Sequence, residues 1–194
     1  LLAITLFVVQ FSQPYPDVAP LHHIPTLLLL VAAPWLLQRW PISNAALGCV
    51  VVFFLLHTLG GRYTYTNVPY EGWYRGLTGN DLVGITGWHR NHYDRLVHFA
   101  FGALSILPVM DLARMGGLKL RGALWSALAF VLAASCVYEI IEWLLGIVAA
   151  GDTADQYNGQ QGDLWDAQKD MALAFLGALV VIAMIVLRKR SKPV

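Results

Sequence analysis

The chain has 194 residues, 57% of them hydrophobic and 13% charged, with a formal net charge of +1 at pH 7. A soluble domain carries about 25% charged residues, so this composition cannot supply a water-facing surface and makes the bilayer part of the solvent. The small net charge excludes electrostatic attraction to nucleic acid.

A membrane-spanning helix needs about 20 mostly apolar residues, and only helices or closed barrels satisfy their backbone groups in lipid. The expected fold is therefore all-α: a polytopic bundle of about six transmembrane helices, forming a single integral membrane domain over residues 1–194. The first span, Leu1 to about Phe11, ends at Pro14 and Pro16. Without the basic flank and small-residue cleavage site of a signal peptide, it reads as the remainder of a truncated span. The second runs from about His23 to Leu37 and carries Pro25 and Pro34. The third runs from Asn44 to about Leu59. A long extracytoplasmic loop, Gly60 to Asn91, follows it. Its Trp73, Trp88 and many tyrosines suit either a surface lid or a plain interfacial belt. The fourth span runs from Tyr93 to about Leu112, the fifth from Gly122 to Ala150 and the sixth from Leu164 to Leu187, with a polar segment, Gly151 to Asp163, before the last. Cys49 and Cys136 lie inside apolar runs and read as small apolar residues rather than a disulfide.

Lys and Arg in short loops set orientation. Six spans put Arg39, Arg114, Lys119, Arg121 and the tail residues Arg188, Lys189, Arg190 and Lys192 on one side, eight basic residues against five. That side is expected to be cytoplasmic, with both termini there, in a bacterial inner membrane. Every acidic residue except Asp111 falls on the other side or in the helix halves near it. Asp111 and Arg114 read as a helix-end pair, and His22 and His23, ahead of the second span, as water-facing.

Ionisable residues inside apolar spans are costly and mark partners or function. His57 lies near the outer end of the third span. Asp94 and His98, four apart, share a helix face at the start of the fourth. Glu139 and Glu142, three apart, share a face near the outer end of the fifth. Asp163, Asp166 and Asp170 share a face at the start of the sixth. At about 1.5 Å per residue, all eight fall in one slab of the outer half-membrane. Arg62, Arg95 and Lys169 neutralise only part of six carboxylates, and the remainder need protons or cations. Mixed His and carboxylate side chains on facing helices hold Zn, Mn or Fe in bundles. The expected metal ligands are His57, Asp94, His98, Glu139, Asp163 and Asp166. Glu142 or Asp170 is the expected general base, and Arg62 an anion clamp, with Tyr63 and Tyr65 as hydrogen-bond donors. His89 and His92 are placed as outer-shell or substrate groups. The same residues also make a consistent metal-free network of ion pairs, caps and shared protons, and the sequence leaves both open.

The runs HTLGGRYTYTNVPY, RNHYDRLVHFAFG, YEIIEW and QGDLWDAQKDM resemble the bacterial YjdF-type inner-membrane proteins, from about the second span onward. A more distant likeness is to VanZ-like membrane proteins, through the pattern of Asp94, His98, Glu139 and Asp166. The resemblance implies a membrane topology and no activity. Three functions then compete. The first is a metal-dependent hydrolase or transferase acting on a lipid-type substrate. The second is an accessory subunit docked on membrane protein partners. The third is a cation or proton transporter, which the nearly apolar inner halves of the spans disfavour.

Overall fold

A computed structural model describes residues 1–148 and 159–190. All regular structure among them is helical: α1 (Leu2–Val8), α2 (Ala19–Arg39), α3 (Asn44–Arg62), α4 (Tyr70–Thr78), α5 (Leu82–Thr86), α6 (Tyr93–Met115), α7 (Leu120–Val148) and α8 (Asp166–Arg190). Five of these, 19 to 29 residues long, are long and apolar enough to cross a membrane. The stretch expected as a first span is instead the seven-residue α1, about 10 Å long. The outward faces of the long helices expose Val31, Trp125, Trp143 and Leu187, a surface that only lipid covers well.

α6 is the centre of the bundle. It packs against α3, α7 and α8, while α8 also packs on α7, α2 packs on α3, and α1 packs on both α2 and α3. Among the described residues α7 packs against neither α2 nor α3. The α6–α8 seam is the closest, and small residues make it so. A Cβ added at Gly102 would overlap the Ala174 carbonyl, and one added at Gly177 would overlap the Phe99 carbonyl. Beneath the level of the acidic residues, Ile106, Leu124, Ala127, Leu128, Val131, Ala174 and Ala178 form a dry apolar core between α6, α7 and α8.

Local signals fix the ends. Ser43 caps α3 through Ala46 N–H, and its own N–H donates to Asp111 at 2.9 Å. Asp111 thus ties α6 to the start of α3, and the expected pair with Arg114 is not among the ion pairs of the described residues. α2 starts at Ala19 with Pro20 in its first turn, where a missing N–H costs nothing. This start, earlier than expected, places His22 and His23 inside the helix, and both are buried rather than water-facing. The long loop is not structureless. It forms α4 and α5, whose backbones approach each other and no other helix among the described residues, while Tyr70 packs on the cluster of Tyr65, Val68, Tyr93 and Val97 and its hydroxyl accepts from His92 N–H at 2.9 Å. Cys49 and Cys136 are free, and Cys136 is exposed rather than buried.

Candidate functional site

α6 begins in a polar knot. The Asn91 side chain accepts from Tyr93 N–H at 3.0 Å and donates to the Val68 carbonyl at 2.8 Å. Gln161 brackets the Asn91 backbone with two hydrogen bonds of 2.9 Å. This holds the end of the segment before α8 over the first turn of α6. Asp94 and His98 therefore project from fixed positions toward the first turns of α8.

One oxygen each of Asp94 and Asp170 and one nitrogen of His98 lie within 4.8 Å of one another. All three residues are buried. His98 Nε2 is 3.5 Å from Asp94 Oδ1, and His98 Nδ1 is 3.8 Å from Glu139 Oε1. Neither separation makes a good hydrogen bond, so the imidazole stands between two carboxylates without being consumed by either. Glu139 Oε1 and Asp170 Oδ1 are buried with no hydrogen-bond partner among the described residues. Glu142, one turn along α7 from Glu139, lies within electrostatic reach of Asp94, Glu139 and Asp170.

The other two aspartates are occupied differently. Arg90 Nη1 donates to Asp166 at 2.6 Å and approaches Asp163 at 3.4 Å. Arg95 donates to Asp163 at 2.5 Å and lies 3.4 Å from Asp166. Lys169 donates to Asp163 at 2.6 Å. Two carboxylates thus meet three cations, while Asp94, Glu139, Glu142 and Asp170 have no Lys or Arg at ion-pair distance among the described residues, and His98 is the one basic group beside Asp94 and Glu139. Asp163 and Asp166, expected as metal ligands, face these cations, and the structure brings together Asp94, His98 and Asp170, with Glu139 beside them.

The Lys169 ammonium, the Trp165 N–H and Arg95 hold the Asp163 carboxyl down at about 2, below the ordinary value of about 3.9. A depressed folded-state value adds stability above the unfolded value, and that stability disappears as pH falls through the folded one. The stability difference between the protein and its Lys169→Met variant, measured by thermal melting in detergent, should be full above about pH 4 and fade toward pH 2.

A second polar group faces the first across a cavity. His57 Nε2 is 2.8 Å from the His22 carbonyl. A carbonyl only accepts, so Nε2 carries the proton, and the bare Nδ1 accepts from the Tyr65 hydroxyl. Tyr65 reaches back into the bundle because Thr64 and Tyr65 both adopt left-handed backbone, with φ of 50° and 57°. Such strain at non-glycine residues persists only where its surroundings hold it. Here Gly60 leaves room for the Tyr65 ring and Gly61 for His22 and His23. His57, expected as a ligand, is engaged at both ring nitrogens.

Arg62 donates to the carbonyls of Val9, Phe11 and Ser12 at 2.5, 3.0 and 3.2 Å. It pins the end of α1 to α3 and is a structural tie rather than the anion clamp expected. His89 is exposed. His92 packs against Trp88 at 4.7 Å between ring centroids, and burial beside Arg95 and Arg90 pushes its pKa down. Arg90, a loop residue by sequence, and Ser135, whose buried hydroxyl lines the cavity, join the site without any local signal in the sequence. Residues 149–158 of the polar segment expected before α8 lie outside the described residues.

Fold and site together define a polytopic helical membrane protein with a buried histidine–carboxylate cluster near one end of the bundle. The chain belongs to the family described as "Predicted membrane protein (DUF2238)", which it matches over residues 1–191. It is similar to inner membrane protein YjdF of Escherichia coli (strain K12), with 33% identity over 169 residues that cover 86% of this chain and 74% of that protein. No solved structure matches the chain.

Proposed function

We propose that the chain holds a divalent metal ion, Zn, Mn or Fe, through Asp94, His98 and Asp170 with Glu139 alongside, and uses it as a hydrolase or transferase on a lipid-type substrate. The observation that carries this reading is the imbalance around His98. Among the described residues three carboxylates, Asp94, Glu139 and Asp170, stand around one imidazole with no Lys or Arg at ion-pair distance, and a buried oxygen of Glu139 and one of Asp170 lack any hydrogen bond. Buried charge of one sign is costly unless a counter-charge arrives. Ligand atoms within 4.8 Å suit an ion bonded at about 2.0–2.6 Å to each. A bound metal would supply a polarised oxygen or an activated water. Glu142, beside the cluster and outside the ion pairs, is then the general base. The cytoplasmic side would be the basic face, in the bacterial inner membrane that the relative's name specifies for that protein. Transport is disfavoured because the dry core beneath the site offers no polar steps. An accessory role draws support from α4 and α5, which present exposed Leu77 and Ile85 away from every other helix.

Protein purified in mild detergent and dialysed against each metal should retain about one ion per chain, measured by elemental analysis. The Asp94→Asn plus Asp170→Asn variant should bind more than about 100-fold more weakly, beyond the roughly 10–100-fold loss typical of outer-shell changes. Asp163→Asn should keep its metal. A parent protein that takes up no metal, with the double variant equally stable, would count against the reading.

A further inference from the structure

The cavity beside the cluster is built by helices that do not close on one another. Its walls come from α2 and α3 on one side, α6 at the back and α7 on the other, yet α7 packs against neither α2 nor α3. Between two membrane-spanning helices, such a gap opens sideways onto lipid. The lining is graded in the same sense on three helices. His57 of α3, His98 of α6 and Tyr138 of α7 lie toward the acidic end. One turn deeper on the same helices stand Phe53, Phe101 and Ala134.

We infer that the gap between α3 and α7 is a side opening that seats one hydrocarbon chain of a membrane amphiphile, with the attached polar group lodged between Asp94–His98 and the His57–Tyr65 pair. The inference deepens the proposed lipid-type substrate and rests on that reading for the site's location, not for the metal. Size decides how much of a lipid is taken. The cavity holds about 240 Å³, under the roughly 300–1,000 Å³ of sites that bury a whole drug-sized ligand. It therefore admits a segment of one chain and leaves the rest of the molecule in the bilayer. Its deep end offers water a single polar partner, the Ser135 hydroxyl, fewer than the roughly two to four a buried water needs, whereas bilayer chains are the immediate neighbours. The shallow end offers donors and acceptors of both kinds. The Tyr65 hydroxyl is oriented by His57 Nδ1, and Asp94 and His98 stand opposite. That pattern fits a neutral, hydroxyl-bearing head group better than a fully apolar molecule, and the carboxylates of Asp94 and Asp170 disfavour an anionic one.

The probes are a monopalmitoylglycerol analogue and a prenyl alcohol analogue, each bearing a mid-chain diazirine, irradiated with the full chain in phosphatidylethanolamine–phosphatidylglycerol vesicles. Adducts at Phe53, Phe101 or Ala134, at least five-fold above those at lipid-exposed Trp125, would support the opening. The probe giving more adduct identifies acyl or prenyl as the source of the chain. Ala134→Trp should fill the gap and lower the Phe101 adduct at least five-fold without changing the one at Trp125. If that variant does not fold, the unaltered protein still gives a test: moving the diazirine next to the polar end should shift the adducts about one turn, from Phe101 toward His98 and Tyr138. Adducts spread evenly around the bundle would overturn the inference, as would a second copy of the chain cross-linked across α3 and α7. Zinc uptake measured on the same samples separates the two readings. Adducts without zinc uptake would remove the metal alone, and zinc uptake without localised adducts would remove the side opening alone.

Discussion

Replacing Arg90 with alanine is expected to destabilise the protein by about 3 kcal/mol, the lower end of the range for breaking a buried ion pair by removing one partner. The Arg90 and Asp166 side chains are 15% and 5% exposed, and their contact is 2.6 Å. Removal leaves Asp166 to Arg95, whose 3.4 Å approach is a weaker substitute and keeps the loss from being larger. Arg90 also joins residues 76 positions apart in the chain, so the variant should loosen the packing of the segment before α8 on the start of α6. Arg90→Lys retains the charge but loses the further guanidinium donors, Nε toward the Asn91 carbonyl and Nη2 toward the Gly159 carbonyl, each at 3.5 Å, and should cost about 1–2 kcal/mol. Pairing Arg90→Ala with Asp166→Ala should cost less than the two single losses added together, because the variants share one interaction. Denaturant unfolding in detergent measures the parent and all four variants. A loss under about 0.5 kcal/mol for Arg90→Ala would show that the ion pair does not hold this end of the bundle.

Gly102→Val should be comparably severe, at about 3 kcal/mol, by a different route. The added atoms meet the Ala174 backbone, not a flexible side chain, so relief requires α6 and α8 to move apart as bodies. The same displacement separates His98, one turn away on α6, from Asp170, one turn away on α8. Metal affinity should therefore fall together with stability, although Gly102 carries no ligand atom. Gly48 supplies the contrast. Nothing lies within 4 Å of a Cβ built there, so Gly48→Ala should be neutral or stabilising by up to about 1 kcal/mol through helix propensity alone. Equal effects at the two glycines would mean that the seam is not close-packed.

These two residues also show where a sequence stops being readable. The spans were legible because apolar runs bounded by charge and turn residues have only one use in a bilayer. Asn44 and Tyr93 begin α3 and α6 where expected, and the starts of α7 and α8 fall within two residues of expectation. The gathering of Asp94, His98, Glu139 and Asp170 at one depth was legible from helical rise alone. Which carboxylate meets which partner was not, because depth says nothing about rotation and neighbour order. Arg90 sits in a loop whose local sequence carries no sign of α8. Asp163 and Asp166 looked the same as Asp170 in spacing until the two arginines and Lys169 were placed around them. Arg62 belonged to the acidic level by depth, and only the fold shows that the end of α1 takes up its donors. His22 and His23 were misplaced because a helix start at Ala19 gives little hydrophobic signal of its own.

The α4–α5 pair has a consequence for where the whole bundle rides. Trp73, Leu77, Ile85 and Trp88 are exposed, Leu77 at 88%, and α4 is tied to the bundle through Tyr70 on its packed side and Trp73 against Tyr63. Apolar groups on short helices at the end of a bundle settle at the boundary between head groups and acyl chains. There they act as a float, resisting both sinking and lifting. On the opposite face Arg121 and Lys189, near the ends of α7 and α8, serve as keels in the other head-group layer. A bundle trimmed from both faces keeps a constant draught. Asp94 and His98, in the first two turns of α6, then ride at the level this pair sets, and a change in membrane thickness is taken up by tilt or by the bilayer rather than at the site.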